Sequence, residues 1–124
     1  MADFSCYVTI DNRNGDYELH RDGYAHADWG GYDHSYPAEK IGFEESSFRL
    51  NDHAGPSGSQ GSVRYTYTNT RGVKKAFVFS YADPYSGSNN CSGAPFYTSN
   101  DGINWSGLNE IKTSGHPFHI KFVL

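Results

Sequence analysis

Six histidines, His20, His26, His34, His53, His116 and His119, raise metal binding as the first chemistry to test. Zinc sites bring their ligands at short, fixed spacings on rigid elements. His26 and His34 lie in a Gly-rich segment with Asp22, Asp28 and Asp33, and His116 and His119 flank Pro117. Neither spacing matches a zinc pattern, and no closely spaced cysteine pair supports one; Cys6 and Cys91 allow at most one bridge. The sequence predicts no metal and no cofactor, and its imidazoles read as surface groups. Nucleophiles fare no better. A catalytic serine belongs in a strained G-x-S-x-G elbow, and GPSGSQG at 55–61 has the residues without that order. Cys91 stands between SNN and SG, with no neighbouring cation to lower its pKa. Glu44 and Glu45 are adjacent, so on an extended chain they point to opposite faces. No Gly-rich loop opens a helix to cradle phosphate. The expectation is a protein that is not an enzyme and has no catalytic residues.

Aromatic rings remain. The chain holds ten Tyr, eight Phe and two Trp. Trp29, Tyr32 and Tyr36 fall in a long irregular stretch, and Phe96, Tyr97 and Trp105 in a late one. Tyr81 and Tyr85 flank Asp83-Pro84 in YADPYSGSN, 81–89. Some of these rings should cap the core, but too many sit in predicted loops for all to do so. Loops on a rigid scaffold are where binding sites collect. Tyr and Trp suit a membrane interface, having an apolar body and a polar tip. Clustered rings also hold quaternary ammonium groups and stack on sugars.

These side chains need elements to hold them. Phe4, Cys6, Val8 and Ile10 alternate with polar partners, the period-two signature of a half-buried strand. Residues 17–21, 46–52 and 62–70 read as further strands, with Tyr17 and Leu19, Phe48 and Leu50, and Val63, Tyr65 and Tyr67 facing inward. VKKAFVFSY, 73–81, is the most apolar run and reads as a strand covered on both faces. The C-terminal strand turns Phe118, Ile120, Phe122 and Leu124 inward. The stretch 22–42 reads as loop with one short strand, 53–61 as a flexible turn, 70–73 as a hairpin turn, and 88–102 as mostly loop around a short strand APFYT. SGLNEIK, 106–112, offers a single helical turn. Six to eight short strands with turn residues between them predict an all-β, antiparallel β-sandwich in one domain, 1–124.

Composition agrees. With 124 residues, 16% aromatic content, 14 Gly and one Met, the chain suits a β-sandwich better than a helical bundle. Its formal net charge of −4, with no basic stripe, argues against nucleic acid as a partner. MADFSCYVTI has no positive segment followed by a long apolar run, so the expectation is synthesis in the cytoplasm without a signal peptide. Cys6, inward on its strand, reads as a buried free thiol, and Cys91 as an exposed one.

Three stretches together resemble the aegerolysin family. DWGGYDHSYPAEKI, 28–41, resembles that family's Gly/Trp loop with its Pro and following Ile. GSQGSVRYTY, 58–67, is similar to its G-T-E-G-x-V/I-x-Y element, with Ser59 and Gln60 in place of Thr and Glu. FVFSYADPYSGSN, 77–89, resembles its aromatic Asp-Pro-aromatic-Gly-Ser-Asn segment, although relatives often carry the Asp one residue earlier. The length is similar to the small component of bacterial binary insecticidal proteins. The resemblance implies an actinoporin-like β-sandwich that binds a sphingolipid or phospholipid headgroup. It implies a non-enzymatic toxin or defence module that forms pores with a larger partner protein at target-cell membranes, and it leaves homo-oligomerisation open. The headgroup residues it implies are Trp29, Tyr32, Tyr36, Tyr81, Asp83, Pro84 and Tyr85, joined by Trp105 from the late aromatic stretch, while Gly58, Gly61 and Asn89 look structural, Asn89 as a loop brace. On that resemblance the rings of 81–89 form part of a shallow cradle at one end of the sandwich, with Pro84 fixing the turn and Gly87-Ser88-Asn89 folding the chain back. The same rings also fit a small carbohydrate-binding lectin, and their tyrosines would suit the lattice contacts of a crystal-forming storage protein.

Overall fold

The computed structural model describes residues 3–53, 58–68, 74–95 and 109–124. Among them the chain forms ten strands and no helix. In order these are β1 (Cys6–Asp11), β2 (Leu19–Arg21), β3 (His26–Trp29), β4 (Lys40–Ile41), β5 (Glu45–Leu50), β6 (Gly58–Thr68), β7 (Lys74–Pro84), β8 (Asn90–Pro95), β9 (Asn109–Lys112) and β10 (Phe118–Val123). One sheet has the order β5-β1-β10-β9; the other runs β4-β2-β6-β7-β8, with β3 also paired to β6. All pairings are antiparallel except β1 with β10, which run parallel.

The expected β-sandwich is therefore present, and period-two burial explains it. Cys6, Val8 and Ile10 face Phe48 and Leu50 of β5 and Phe118, Ile120 and Phe122 of β10 in one buried layer. Val63, Tyr65 and Tyr67 of β6 and Phe77, Phe79 and Tyr81 of β7 form the opposing layer. The Phe79 and Phe122 rings meet across the layers at 4.9 Å. Leu19 is buried, Tyr17 stacks on Tyr67 at 4.7 Å, and Leu124 packs half-buried against the core. Cys6 is a buried free thiol.

Several local expectations are corrected. The stretch 22–42 carries two short strands, β3 and β4, where one was expected; elements of two to four residues carry no periodicity to read. Residues 58–61 begin β6 rather than a flexible turn. On β7, Val78 and Ser80 are half-buried, so only one face of that strand is fully covered. Asn90–Pro95 is a strand, so Cys91 is half-buried on β8 rather than exposed in a loop. Asn109–Lys112 is a strand and not a helical turn. The 70–73 turn, residues 96–98 of APFYT and residues 106–108 of the helical expectation lie outside the described residues.

Candidate functional site

One end of the sandwich gathers most of the expected site. Register fixes its position: Gly58 pairs with Pro84, Gln60 with Ala82, and Trp29 with Gln60. Pro84 and Trp29 therefore flank the start of β6 on opposite sides. Residues 4–6 close the same end, because Ser59 Oγ donates to the Phe4 carbonyl at 2.6 Å and lies 3.4 Å from Cys6 Sγ. Asp52 joins them, accepting from Phe4 N at 3.3 Å and donating through its own amide to Ser5 Oγ at 2.9 Å.

The expected residues divide into three groups. Trp29 and Tyr85 are displayed, 44% and 54% exposed. Tyr85 leans on the Phe4 ring at 5.3 Å, and Pro84 closes β7 beneath it. Tyr32 and Tyr36 form a second group on the flank of β3. Tyr32 is half-buried and donates to the His26 carbonyl at 2.8 Å. Tyr36, as exposed as Trp29, meets it edge-on at 5.4 Å, accepts from the Ala25 amide and carries the Arg21 guanidinium 4.8 Å over its ring. The third group is internal. Tyr81 is 1% exposed, packs edge-on against Phe48 at 5.4 Å and shares a 2.5 Å hydrogen bond with Tyr32. Burial pushes its phenol far above the usual range. Tyr81 is thus a core residue of β7 and no part of a surface cradle. The eighth expected residue, Trp105, lies outside the described residues.

Asp83 is also internal, and its role depends on His116, an imidazole expected to be a plain surface group. Its carboxylate is fully buried, and His116 Nδ1 approaches Oδ1. Burial raises the Asp83 pKa, and the hydrogen bond and charge of His116 oppose that rise. Asp83 Oδ2 finds no hydrogen-bond partner among the described residues. The His116 ring packs 4.2 Å from Phe4, so Phe4 links His116 to Tyr85. Two more imidazoles at or beside this end meet carboxylates: His26 lies 2.7 Å from Asp28 and His53 2.8 Å from Asp33. Gln60 donates to the other oxygen of Asp28 at 3.0 Å, so the amide standing in place of Glu is anchored to β3. Among the described residues no group of three metal-ligating side chains converges.

Sequence reasoning missed Phe4, His116 and Asp52. The signal for His116 was weak: a buried Asp needs a partner, but no spacing ties position 83 to position 116. Asn89, read as a loop brace, does brace a loop, donating to the Gly115 carbonyl at 2.6 Å.

No family model matches the chain, and neither does any curated protein. Among solved structures it is similar to the crystal structure of the lipid-binding protein Nakanori, with a TM-score of 0.74 at 11% identity, over 96% of this chain and 69% of that one. At that identity the likeness shows a shared fold.

Proposed function

We propose that the protein binds membrane lipid through the end of the sandwich that carries Trp29 and Tyr85. The observation that carries this reading is the pair of exposed rings flanking the start of β6, with Phe4 supporting Tyr85 from below. Rings with one polar atom settle at the boundary between headgroups and acyl chains, where the apolar body leaves water and the polar tip stays wet. A rigid sheet beneath them lowers the ordering cost of binding. A solved structure of similar fold is that of a lipid-binding protein, which supports the reading by analogy of fold.

The finer reading follows the aegerolysin resemblance. The ligand is a sphingolipid-type or phospholipid headgroup, the protein acts without catalysis, and it serves as the membrane-recognising component of a toxin or defence pair whose larger partner forms the pore. Of the residues implied by that resemblance, Trp29, Tyr85 and Pro84 carry the contact. Tyr32 and Tyr36 buttress β3, and Tyr81 and Asp83 support the site from inside.

Co-sedimentation with liposomes of varied headgroup, including sphingomyelin and ceramide phosphoethanolamine, tests the proposal. Selective pelleting with one headgroup is expected, and Trp29→Ala combined with Tyr85→Ala should abolish it without unfolding the protein. Failure to pellet with any lipid would overturn the reading and turn attention to a glycan array.

A further inference from the structure

Beside the ring-bearing end, the β7–β8 and β9–β10 connections line an open pocket of about 400 Å³. Its polar lining comes from Ser88, Asn89, Lys112, Thr113, Ser114 and His116, over the buried Phe118. No carboxylate lines it, in a chain whose formal net charge is −4. The two ionisable lining groups are a lysine and a histidine. Lys40 pairs with Glu18 at 3.4 Å, and Lys121 pairs with Glu45 at 2.6 Å. Lys112, exposed at the pocket rim, has no ion-pair partner among the described residues. Asp83 engages His116, a lining residue, through Nδ1, so Nε2 is not taken up by that carboxylate. The frame is already tied. Asn89 Nδ2 holds the Gly115 carbonyl, and Thr113 Oγ1 accepts from the His119 amide at 3.1 Å, so the Thr113 hydroxyl proton is left to donate.

We propose that this pocket binds a phosphate group, with Lys112 as its cationic contact, the His116 ring beside it, and the hydroxyls of Ser88, Thr113 and Ser114 as neutral donors. Phosphate offers several acceptor oxygens around one tetrahedral centre, and a ring of donors without a competing carboxylate matches that pattern. When both ring nitrogens of His116 carry protons, Nε2 donates to the anion while Nδ1 remains on Asp83. The phosphate belongs to a lipid headgroup or to a soluble phosphorylated molecule; only the first source rests on the function proposed above.

Titration of the isotope-labelled protein with inorganic phosphate, against chloride at equal ionic strength, reads the pocket directly by amide chemical shifts. Saturable shifts confined to 88–89 and 112–116 are expected. Lys112→Glu should weaken them at least about tenfold, the size of one lost charge-assisted hydrogen bond. Lys112→Arg should retain them. Lys112 is exposed, so both variants should keep the wild-type spectrum elsewhere. Absence of saturable shifts, or shifts indifferent to Lys112→Glu, would overturn the proposal. Vesicle pelleting then separates the sources. Displacement from phospholipid vesicles by inorganic phosphate, lost in Lys112→Glu, assigns the phosphate to the headgroup. Phosphate binding in solution with vesicle pelleting untouched by Lys112→Glu assigns it to a soluble ligand. Pelleting through Trp29 and Tyr85 with no phosphate shifts would remove the pocket and leave the lipid reading intact.

Discussion

Tyr81 and Tyr85 are four residues apart and do opposite jobs. Phe77, Phe79 and Tyr81 share one parity on β7 and all face the core. Continued by two, the same parity carries Asp83 inside, which is why that carboxylate is buried and needs His116. The alternation was therefore readable in the sequence, but the turn-like Asp-Pro and the resemblance to a loop motif outweighed it. Tyr81→Ala should remove a filled core position and the partner of Tyr32. The cost is on the order of 3–5 kcal/mol, or roughly 10–20 °C in the melting temperature. Tyr85→Ala, at a 54% exposed site, should leave the melting temperature within about 2 °C. Equal losses in thermal melts of the two variants would contradict this assignment. A second residue acts at the far end of β1. The Arg13 guanidinium, which donates to both carboxylate oxygens of Asp11, holds its pKa well below the usual range, with Lys121 adding to the field. A depressed folded-state pKa stabilises fully above the unfolded value of ~4, and the benefit disappears as pH falls through the folded value. Asp11→Asn should accordingly flatten the acid limb of the stability–pH curve, measured by denaturant unfolding.

At the scale of elements, the long strands were legible and the edges were not. Strands β1, β5, β6 and β10 alternate apolar and polar residues because one face meets the core, and β7 stands out as the most apolar run. Strand β9 is exposed at all four positions, and β8 joins the other sheet at its edge, so neither carries a pattern that burial would impose. What holds these two edges together is side-chain chemistry. Glu110 of β9 accepts from the Gly93 amide of β8 at 3.0 Å and from Cys91 Sγ at 3.7 Å. Burial, followed by the charge of Glu110, pushes the Cys91 thiol up to about 11. Glu110→Ala should lower that pKa and speed the reaction of Cys91 with a thiol reagent at pH 8. Cys6, pushed up to about 12 chiefly by burial, should stay unreactive until the protein unfolds. An unchanged Cys91 rate in Glu110→Ala would show that the carboxylate does not govern it. The glycines of β6 act at the same scale. Gly58 has a φ of +76°, and a Cβ there would lie 2.3 Å from the Asp83 carbonyl oxygen. A Cβ on Gly61 would lie 2.4 Å from the His26 carbonyl oxygen, so this glycine permits the close approach of β3 rather than making a turn.

For the whole molecule, the two ends of the sandwich differ in kind. At the end where β1 finishes, Arg13 bridges Asp11 and Glu45, and Lys121 pairs with the same two carboxylates; this is a surface of matched charge. Among the described residues its exposed ring is Phe43, beside the Gly42 carbonyl that accepts from Asn12 Nδ2 at 3.0 Å. The opposite end carries Trp29 and Tyr85 with Phe4 and His116 between the strands. Composition could suggest that rings were displayed, but which end displays them depends on register, and register is set by pairings between residues far apart in the chain. This polarity predicts an oriented encounter with a membrane. Trp29 and Trp105 are the two tryptophans, so Trp105→Phe leaves Trp29 as the single indole reporter. On binding vesicles its emission should move to the blue and become quenchable by brominated acyl chains, because the indole leaves water for the interface. Phe43→Ala should bind as wild type, since its end points away. Vesicle pelleting with Trp29 emission unchanged, or lost in Phe43→Ala, would place the membrane on another face.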